Sequence, residues 1–351
     1  MTMTDRVAVH RGPWWWVKRV ALILATALVI FLLIRAFTFG GGRRDERPAG
    51  LAEIEGLIID ETGMYLYTLD EDGGAVLRWV ETGETALTLP ETIDSHPLTA
   101  IGPDAFRNRA RLTRVALPAG VKRIGSSAFS GCTALKEVTL PEGLEIVDSS
   151  AFARCGGLAA LRLPDSVRSL GDSAFSGCSA LAEMTLPAGI EELPTSLFAD
   201  CSALTRVSIP RGVTAVGTSA FSGCSALAEI QLPEGLTAIG NWAFLGCRSL
   251  RTLRIPSGVR RIGDSAFFNC KGLVYVSVDE GVIRIGDYAF ANCDTLRGVT
   301  LPASVTAIGD AAFHTYSLSG YKPNMSIRFT APAGSFAETY CGQYGFECVA
   351  E

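Results

Sequence analysis

The chain has 351 residues, of which 48% are hydrophobic and 19% are charged, a composition typical of folded rather than disordered proteins. Residues 1–50 contain eight basic and three acidic side chains, whereas the rest of the chain contains 23 basic and 33 acidic ones. Because an acidic body repels the phosphate backbone, this charge argues against a nucleic-acid partner.

Residues 20–39 read VALILATALVIFLLIRAFTF, an apolar run whose single charge is Arg35. As a helix, this run spans about 30 Å, the thickness of one hydrocarbon core. Three tryptophans (Trp14, Trp15 and Trp16) precede it, where aromatic rings favour the headgroup level. We therefore predict a basic N-terminal segment over residues 1–19, a single-pass transmembrane signal anchor over 20–39 and a linker over 40–50.

A cleaved signal peptide is the alternative interpretation of the same apolar run. The run is long, however, and no A-x-A cleavage site follows it. Four basic residues lie on each side of its centre, so the positive-inside rule does not decide the orientation. An anchor this early in the chain, ahead of a large soluble region, favours export of that region. We thus expect the protein in the cell membrane, with its larger part outside the cytoplasm.

Residues 64–90 read MYLYTLDEDGGAVLRWVETGETALTLP, in which runs of β-branched and aromatic residues flank a DEDGG turn signal. This pattern predicts an N-terminal β cap with a first partial repeat over residues 51–100. The sequence IDSHP at 93–97 is an insertion ahead of the first full repeat.

An internal repeat of 23 residues fills most of the remaining chain. Val138 and Leu140 alternate as in a strand with one buried face. A proline ends such a strand in every unit but the one with Asp279, because proline cannot donate to a sheet ladder. A unit of this size buries almost nothing alone, so we predict a solenoid of about ten stacked rungs over residues 101–316. The phenylalanines that mark the repeat keep the spacing without slippage: Phe106, Phe129, Phe152, Phe175, Phe198, Phe221, Phe244, Phe267, Phe290 and Phe313.

The consensus of these units, L-P-x-x-[VL]-x-x-I-G-x-x-A-F-x-x-C-x-x-L-x-x-[VIL]-x-L, closely resembles the BspA-like leucine-rich repeats of bacterial surface proteins. The resemblance covers about residues 85–349. It implies a β-rich leucine-rich-repeat solenoid with a cap at each end. The sequence SFAETYCGQYGFECVAE at 335–351 resembles the family's closing helix and strand, within a predicted C-terminal cap over 317–351. The resemblance also implies a binding or adhesion scaffold whose partners differ between members.

Eight of the ten cysteines share one column, three positions after the phenylalanine. If every unit folds alike, these thiols stack inside the rod as small apolar residues and form a structural cysteine ladder. Disulfides between rungs and a zinc site are the alternatives, although in-register thiols do not converge for a disulfide and supply only one metal ligand per rung. Cys341 and Cys348 lie outside the column, either as a disulfide or in simple packing. The ladder comprises Cys132, Cys155, Cys178, Cys201, Cys224, Cys247, Cys270 and Cys293.

The sequence contains no recognisable constellation for catalysis. Its three histidines, His10, His96 and His314, have no acid and nucleophile nearby that would complete a triad. The glycines at 40–42 lack the strand, helix and lysine of a phosphate-binding loop. We therefore predict neither an enzyme nor a bound metal or cofactor.

Candidate ligand-binding residues are the aromatic side chains in outward-facing columns of the later rungs, namely Trp242, Phe268, Tyr275 and Tyr288. Trp242 and Tyr288 share one column two rungs apart, about 10 Å by strand spacing. Aromatic residues are common interface anchors, while packing of these rings on neighbouring turns is the alternative. The partner beyond the membrane itself is a protein or a glycan.

Together these features predict a membrane-anchored, bacterial cell-surface scaffold that mediates adhesion or other protein binding. A structural envelope component without a discrete ligand is one alternative. An intracellular scaffold is the other, which applies if the orientation in the membrane is reversed.

Overall fold

The computed structural model describes residues 51–317 and 320–351. The predicted N-terminal segment, membrane anchor and linker (1–19, 20–39 and 40–50) lie outside these residues. In the part of the chain that is described, no helix is both long enough and apolar enough to cross a membrane. The described part is a β-solenoid, in which each 23-residue repeat forms one rung and successive rungs stack in register. The predicted leucine-rich-repeat solenoid is thereby confirmed.

The longer strands of the rungs line one side of the solenoid, named here the strand face. They pair in parallel, because the chain leaves each strand and returns by another path before it pairs again. Alternate residues are buried: Val276 and Val278 lie in the core, whereas Tyr275 is exposed. The strands of this face are Ala86–Thr88, Arg114–Ala116, Glu137–Thr139, Glu183–Thr185, Arg206–Ser208, Thr252–Ile255, Tyr275–Val278, Gly298–Thr300, Arg328–Ala331 and Glu347–Ala350.

A second set of shorter strands, the return ladder, precedes the phenylalanine of each rung. A glycine follows most of them because a side chain there would collide with the preceding rung. A Cβ placed on Gly217 would lie 2.6 Å from the carbonyl oxygen of Leu193, and the Gly217 N–H donates to that oxygen at 2.7 Å. The strands are Arg123–Ile124, Ile146–Val147, Ser169–Leu170, Glu192–Leu193, Ala215–Val216, Ala238–Ile239, Arg261–Ile262, Arg284–Ile285 and Ala307–Ile308.

The ten phenylalanines of the repeat form a continuous stack in the core. Neighbouring ring centroids are 4.9–5.8 Å apart, and the interplanar angles do not exceed 21°. Each of these rings is almost completely buried, which stabilises the fold by about 1.5–3 kcal/mol per ring. Each ring packs against the equivalent ring of the next rung, so the same local sequence suits several rungs. SAFSGCSALAE accordingly occurs at 173–183 and again at 219–229.

The N-terminal end of the array is covered by a β cap. It begins with a short 3-10 turn at Leu51–Glu53. Antiparallel strands on either side of the DEDGG turn follow, and the second of them pairs in parallel with His96–Ile101, which in turn pairs with Arg123–Ile124 of the return ladder. The strands of the cap are Ile58–Ile59, Tyr65–Leu69, Ala75–Val80, Thr92–Ile93 and His96–Ile101.

Arg109 occupies the cysteine position of the first rung and joins the cap to the array. Its guanidinium carbon lies 4.2 Å from the ring centroid of Trp79, a cation–π distance. The same group donates a hydrogen bond to the carbonyl oxygen of Val80. A buried arginine therefore replaces the cysteine in the first rung, where the array packs against the β cap instead of against another repeat.

The C-terminal end departs from the repeat after Phe313. An antiparallel hairpin, His314–Ser317 with Gly320–Pro323, spans the predicted boundary between array and cap. The helix Phe336–Tyr344 then packs beside the last strand of the strand face. The Ser335 hydroxyl caps its N-terminus by accepting from the N–H of Glu338, and Gly345 ends it in a left-handed conformation (φ 74°).

The strand pairing is interrupted on both sides of the solenoid at one place, named the seam. On the strand face, Glu183–Thr185 pairs only with Arg206–Ser208 among the described strands, while residues 160–163 form no strand. In the return ladder, Ser169–Leu170 ends one sheet and Glu192–Leu193 begins another. A cleft of about 370 Å³ opens here, lined in part by Leu161, Leu163 and Met184.

Pro194 accounts for the interruption of the return ladder. It occupies the glycine position, and a proline has no N–H to donate to the preceding rung. The phenylalanine stack is also widest here, 5.8 Å from Phe152 to Phe175, whereas it is 5.0–5.2 Å at each step from Phe221 to Phe313. Strand pairing is also absent at residues 229–232, but there the return ladder continues without a break.

Candidate binding surfaces

The turn that carries each core phenylalanine forms another outward surface, named the turn face. The residue two positions before the phenylalanine lies at this surface in every rung, and the residue one position after it does so in seven of the ten. The two between them are buried, as Ala243 and Phe244 are. Successive turns are hydrogen bonded in register: the N–H of Trp242 donates to the carbonyl oxygen of Asp264 at 2.9 Å. Side chains 23 residues apart therefore form columns on the turn face.

One of these columns has a left-handed backbone in all ten rungs, with φ between 50° and 58°. This conformation is uncommon for residues other than glycine, and bulky side chains suit it least. Eight rungs place aspartate, serine or alanine there. Trp242 and Tyr288 instead hold large rings at these positions, with exposed fractions of 46% and 36%.

Further aromatic residues surround these two on the turn face. The turn of Phe268, which is half-buried, stacks between theirs. The ring of Tyr321 lies 5.1 Å from that of Tyr288, and the ring of Tyr316 lies 5.5 Å from Tyr321. Burial and the neighbouring phenols raise the pKa of Tyr321. We call these five residues, Trp242, Phe268, Tyr288, Tyr316 and Tyr321, the aromatic patch.

A column of polar side chains runs directly beside the aromatic patch, one position earlier in each turn. The side-chain oxygen of Asn241 accepts from the N–H of Asp264 at 2.8 Å. The Oδ1 atom of Asp264 accepts from the N–H of Asp287 at 3.1 Å, and that of Asp287 accepts from Asp310 at 3.0 Å. Each side chain thus holds the following turn with one oxygen.

Tyr275 occupies a different surface, the strand face. Its ring covers Gly298 on the neighbouring strand, since a Cβ placed on that glycine would lie 2.8 Å from Cδ2 of the tyrosine. The hydroxyl groups of Tyr275 and Thr300 are hydrogen bonded at 2.7 Å. The ring is therefore held against the sheet at both ends, yet 44% of the residue remains exposed.

Six of the seven charged residues of the same strand column form ion pairs between neighbouring rungs, and Glu183 is the exception. Three ion pairs have N···O distances of 2.9–3.4 Å and mostly exposed side chains: Arg114–Glu137, Arg206–Glu229 and Arg328–Glu347. Exposed pairs of this kind contribute about 0–1 kcal/mol each to stability. Between the second and third pairs the column reads Thr252, Tyr275 and Gly298, so that Tyr275 lies in a charge-free window.

The structure therefore divides the four aromatic residues that the sequence singled out. It places Trp242, Phe268 and Tyr288 on successive turns of the turn face and leaves Tyr275 on the strand face. Tyr316 and Tyr321 were missed, because their hairpin interrupts the 23-residue register on which the prediction depended. The signal that could have revealed them is HTYSLSGYKP, two strand-like runs around a Ser-Gly turn.

The structure places all eight cysteines of the repeat in the interior, as free thiols. Each thiol donates to the carbonyl oxygen of the phenylalanine one rung earlier, at Sγ···O distances of 3.0–3.3 Å. Burial raises the pKa of the seven thiols from Cys155 to Cys293. The ladder is therefore a poor source of thiolate, which is the reactive form of cysteine.

Cys341 and Cys348 are neighbours in the C-terminal cap, also as free thiols. Cys341 lies on the helix and is buried, and Cys348 lies on the last strand and is partly buried. Burial and the hydrogen-bonded Cys348 thiol raise the pKa of Cys341 to about 12. The disulfide considered from the sequence stays a prediction.

Two of the three histidines lie in the described region, and both make packing contacts. Nδ1 of His96 lies 2.9 Å from the carbonyl oxygen of Gly73. His314 is buried edge-on against Tyr344 and Phe346, and burial lowers its pKa. Residues 51–317 and 320–351 contain no group of three or more histidine, cysteine or carboxylate side chains arranged to hold a metal ion.

The repeats match the BspA type leucine rich repeat region, in six copies over residues 99–225 and 191–319. No curated protein sequence is significantly similar to the chain. A leucine-rich repeat protein from Bacteroides ovatus has 23% identity and a TM-score of 0.57, covering 79% of this chain and 84% of that one. A leucine rich cell surface protein from Faecalibacterium prausnitzii has 24% identity and a TM-score of 0.55, covering 84% of this chain and 94% of that one. These structures share the fold, and the family match shows that the chain belongs to the BspA-type leucine-rich-repeat proteins.

Proposed function

We propose that the chain is a binding protein, held at the outside of the cell by the apolar segment 20–39, and that its strand face contacts a protein partner around Tyr275. The family match supports a protein-binding scaffold. The apolar run and its flanking tryptophans support the membrane anchor.

The observation that carries the proposal is the fixed ring of Tyr275. A side chain that is already held in place loses little conformational freedom when it binds, so more of its interaction energy appears as affinity. The cores of protein interfaces are rich in tyrosine and poor in charge, and the charge-free window of Thr252, Tyr275 and Gly298 has that character within its column. The nearest charge on this face is Arg254, two positions after Thr252, which is ion-paired with Glu234 and Asp279. The ion pairs on either side would form the polar rim.

Membrane orientation is tested first, because the partner depends on it. Intact cells are treated with a protease that cannot cross the membrane, and the repeat domain is followed by immunoblot. We expect the domain to be lost while a cytoplasmic control protein survives. A domain that is protected until the cells are lysed would contradict external display and favour an intracellular scaffold.

The binding surface is tested on cells that display the protein with a photo-crosslinking residue at position 275. The matched control carries the same residue at position 137, in the ion-paired part of the strand face. We expect a discrete protein adduct only from position 275. For the purified adduct partner, the change Tyr275→Ala should weaken binding by about 2 kcal/mol, or about thirtyfold. Equal affinity of the wild type and Tyr275→Ala would refute the strand-face assignment.

If the protein is instead a structural envelope component without a discrete ligand, we expect a different pattern of crosslinked products. Positions 275 and 137 would then give the same diffuse products, and the protein would co-purify with cell-wall material. That result would remove the binding proposal.

A further inference from the structure

The aromatic patch differs from the rest of the turn face in a way that the fold does not require. Eight rungs place a small residue at the left-handed position, and the stack continues through them with the same backbone. Trp242 and Tyr288 put large rings at a position that bulky residues disfavour. Their rings remain exposed, so core packing does not explain them.

The spacing of the two rings indicates the shape of a ligand. The solenoid advances 5.0 Å from Phe244 to Phe267 and 5.1 Å from Phe267 to Phe290, so Trp242 and Tyr288 stand two rungs apart on one line. An extended glycan of the cellulose or chitin type, with all linkages equatorial, advances by close to one rung spacing per sugar. It also turns the same ring face to one side at every second sugar. Such a chain, lying along the solenoid axis, would bring one sugar onto each ring.

The polar groups beside the rings suit the hydroxyl groups of a sugar chain. Asp264 and Asp287 use one carboxylate oxygen to hold the next turn, which leaves Oδ2 of Asp287 to accept from sugar hydroxyls. On the other side of the phenylalanine, Asn269 and Asn292 occupy equivalent positions of neighbouring rungs, and Oδ1 of Asn292 accepts from the N–H of Tyr316 at 2.8 Å. Carboxylates would repel an anionic polymer or an anionic membrane surface, so the charge favours a neutral glycan.

We propose that the turn face binds a neutral, extended, all-equatorial β-linked glycan, with Trp242 and Tyr288 stacked on sugars two apart in the chain. Tyr321 and Tyr316 continue the aromatic surface beyond Tyr288, where the repeat ends. This site does not depend on the protein partner proposed above, because Tyr275 lies on the strand face.

The test uses the full-length protein in a detergent without a sugar headgroup, with chitohexaose, cellohexaose, chitobiose and maltohexaose as probes in calorimetry. We expect at least one of the two equatorially linked hexasaccharides to bind at least tenfold more tightly than chitobiose, because a disaccharide cannot reach both rings. The comparison of chitohexaose with cellohexaose shows whether the acetamido group contributes. Maltohexaose, whose axial linkages coil the chain, is expected to bind at least tenfold more weakly.

Variants then assign the binding to the patch. Trp242→Ala and Tyr288→Ala should each weaken hexasaccharide binding at least tenfold, while Trp242→Phe retains most of it. Ile59→Ala is the control, because Ile59 is an exposed apolar residue of the N-terminal cap (49% exposed), and it should bind as the wild type does. No binding by either equatorial hexasaccharide, equal binding of maltohexaose, or unchanged affinity in both alanine variants would each overturn the proposal. If Trp242→Ala still binds the hexasaccharides but no longer gives protein adducts in the photo-crosslinking experiment on cells, the patch is a protein interface instead of a glycan site.

Discussion

Replacement of Phe267 by alanine tests whether the stack of phenylalanines holds the rungs together. The ring is completely buried, and it lies 5.0 Å from Phe244 and 5.1 Å from Phe290 with nearly parallel planes. Deletion of a buried phenylalanine side chain typically costs about 3–5 kcal/mol. In a solenoid each rung contacts only its neighbours, so no other element can move in to fill the cavity. We therefore expect a loss of about 4–5 kcal/mol in the free energy of unfolding.

Urea unfolding followed by circular dichroism measures this loss. Phe267→Leu keeps most of the volume but not the two ring contacts, which contribute about 0.5–1.5 kcal/mol per pair, so its loss should be about 1–3 kcal/mol. Phe336→Ala is the control: this phenylalanine begins the C-terminal helix and is 41% exposed. It should cost less than about 1 kcal/mol, as a surface change does. A loss in Phe267→Ala no larger than that of the control would refute the role assigned to the stack.

Three further predictions concern the thiols and the seam. Burial raises the pKa of Cys178 from 9.0 to about 12. As the pH rises, the thiol therefore ionises in the unfolded chain before it ionises in the folded protein. The stability that the buried neutral thiol contributes is complete below pH 9 and declines between pH 9 and 12. The urea midpoint should therefore fall over that range, and fall less steeply in Cys178→Ala; parallel curves would contradict the assignment. Hydrogen exchange should be faster for the amides of residues 160–163 than for those of Glu137–Thr139, which are paired with a neighbouring strand; equal protection would mean that the seam is closed in solution. Mild oxidation should join Cys341 to Cys348, seen by mass spectrometry as the loss of two hydrogens from one intact chain; a purely intermolecular product would show that the cap keeps the two sulfurs apart.

Much of the fold could be predicted from the 23-residue spacing, because one rule of packing applies in every rung. A residue such as Phe198 must contact its own equivalents above and below, and its position in the column therefore predicts its burial. The same reasoning placed Trp242 and Tyr288 in one column of the turn face. It could not place Tyr316 and Tyr321, since the hairpin that carries them has no equivalent in any other rung.

The seam shows a second limit of reasoning from the repeat. Pro194 is visible in the sequence as a departure from glycine, and the loss of its N–H follows from covalent structure alone. The segment at residues 160–163, which forms no strand, has no such local cause, because its sequence keeps the leucines and the proline of the repeat. That interruption is therefore visible only in the structure.

If the chain is anchored at residues 20–39 and binds a partner as proposed, the position of the seam has a mechanical consequence. Tension along the axis is resisted by the ladders that join successive rungs, and at the seam the turns and the phenylalanine stack resist it without the two strand ladders. The array should therefore yield there first. Tyr275 and the aromatic patch both lie on the C-terminal side of the seam, where the return ladder is uninterrupted from Glu192–Leu193 to Ala307–Ile308. A force that separates the rungs at the seam would lengthen the connection between the anchor and the binding surfaces. The binding surfaces on the C-terminal side would keep their structure and their ligand.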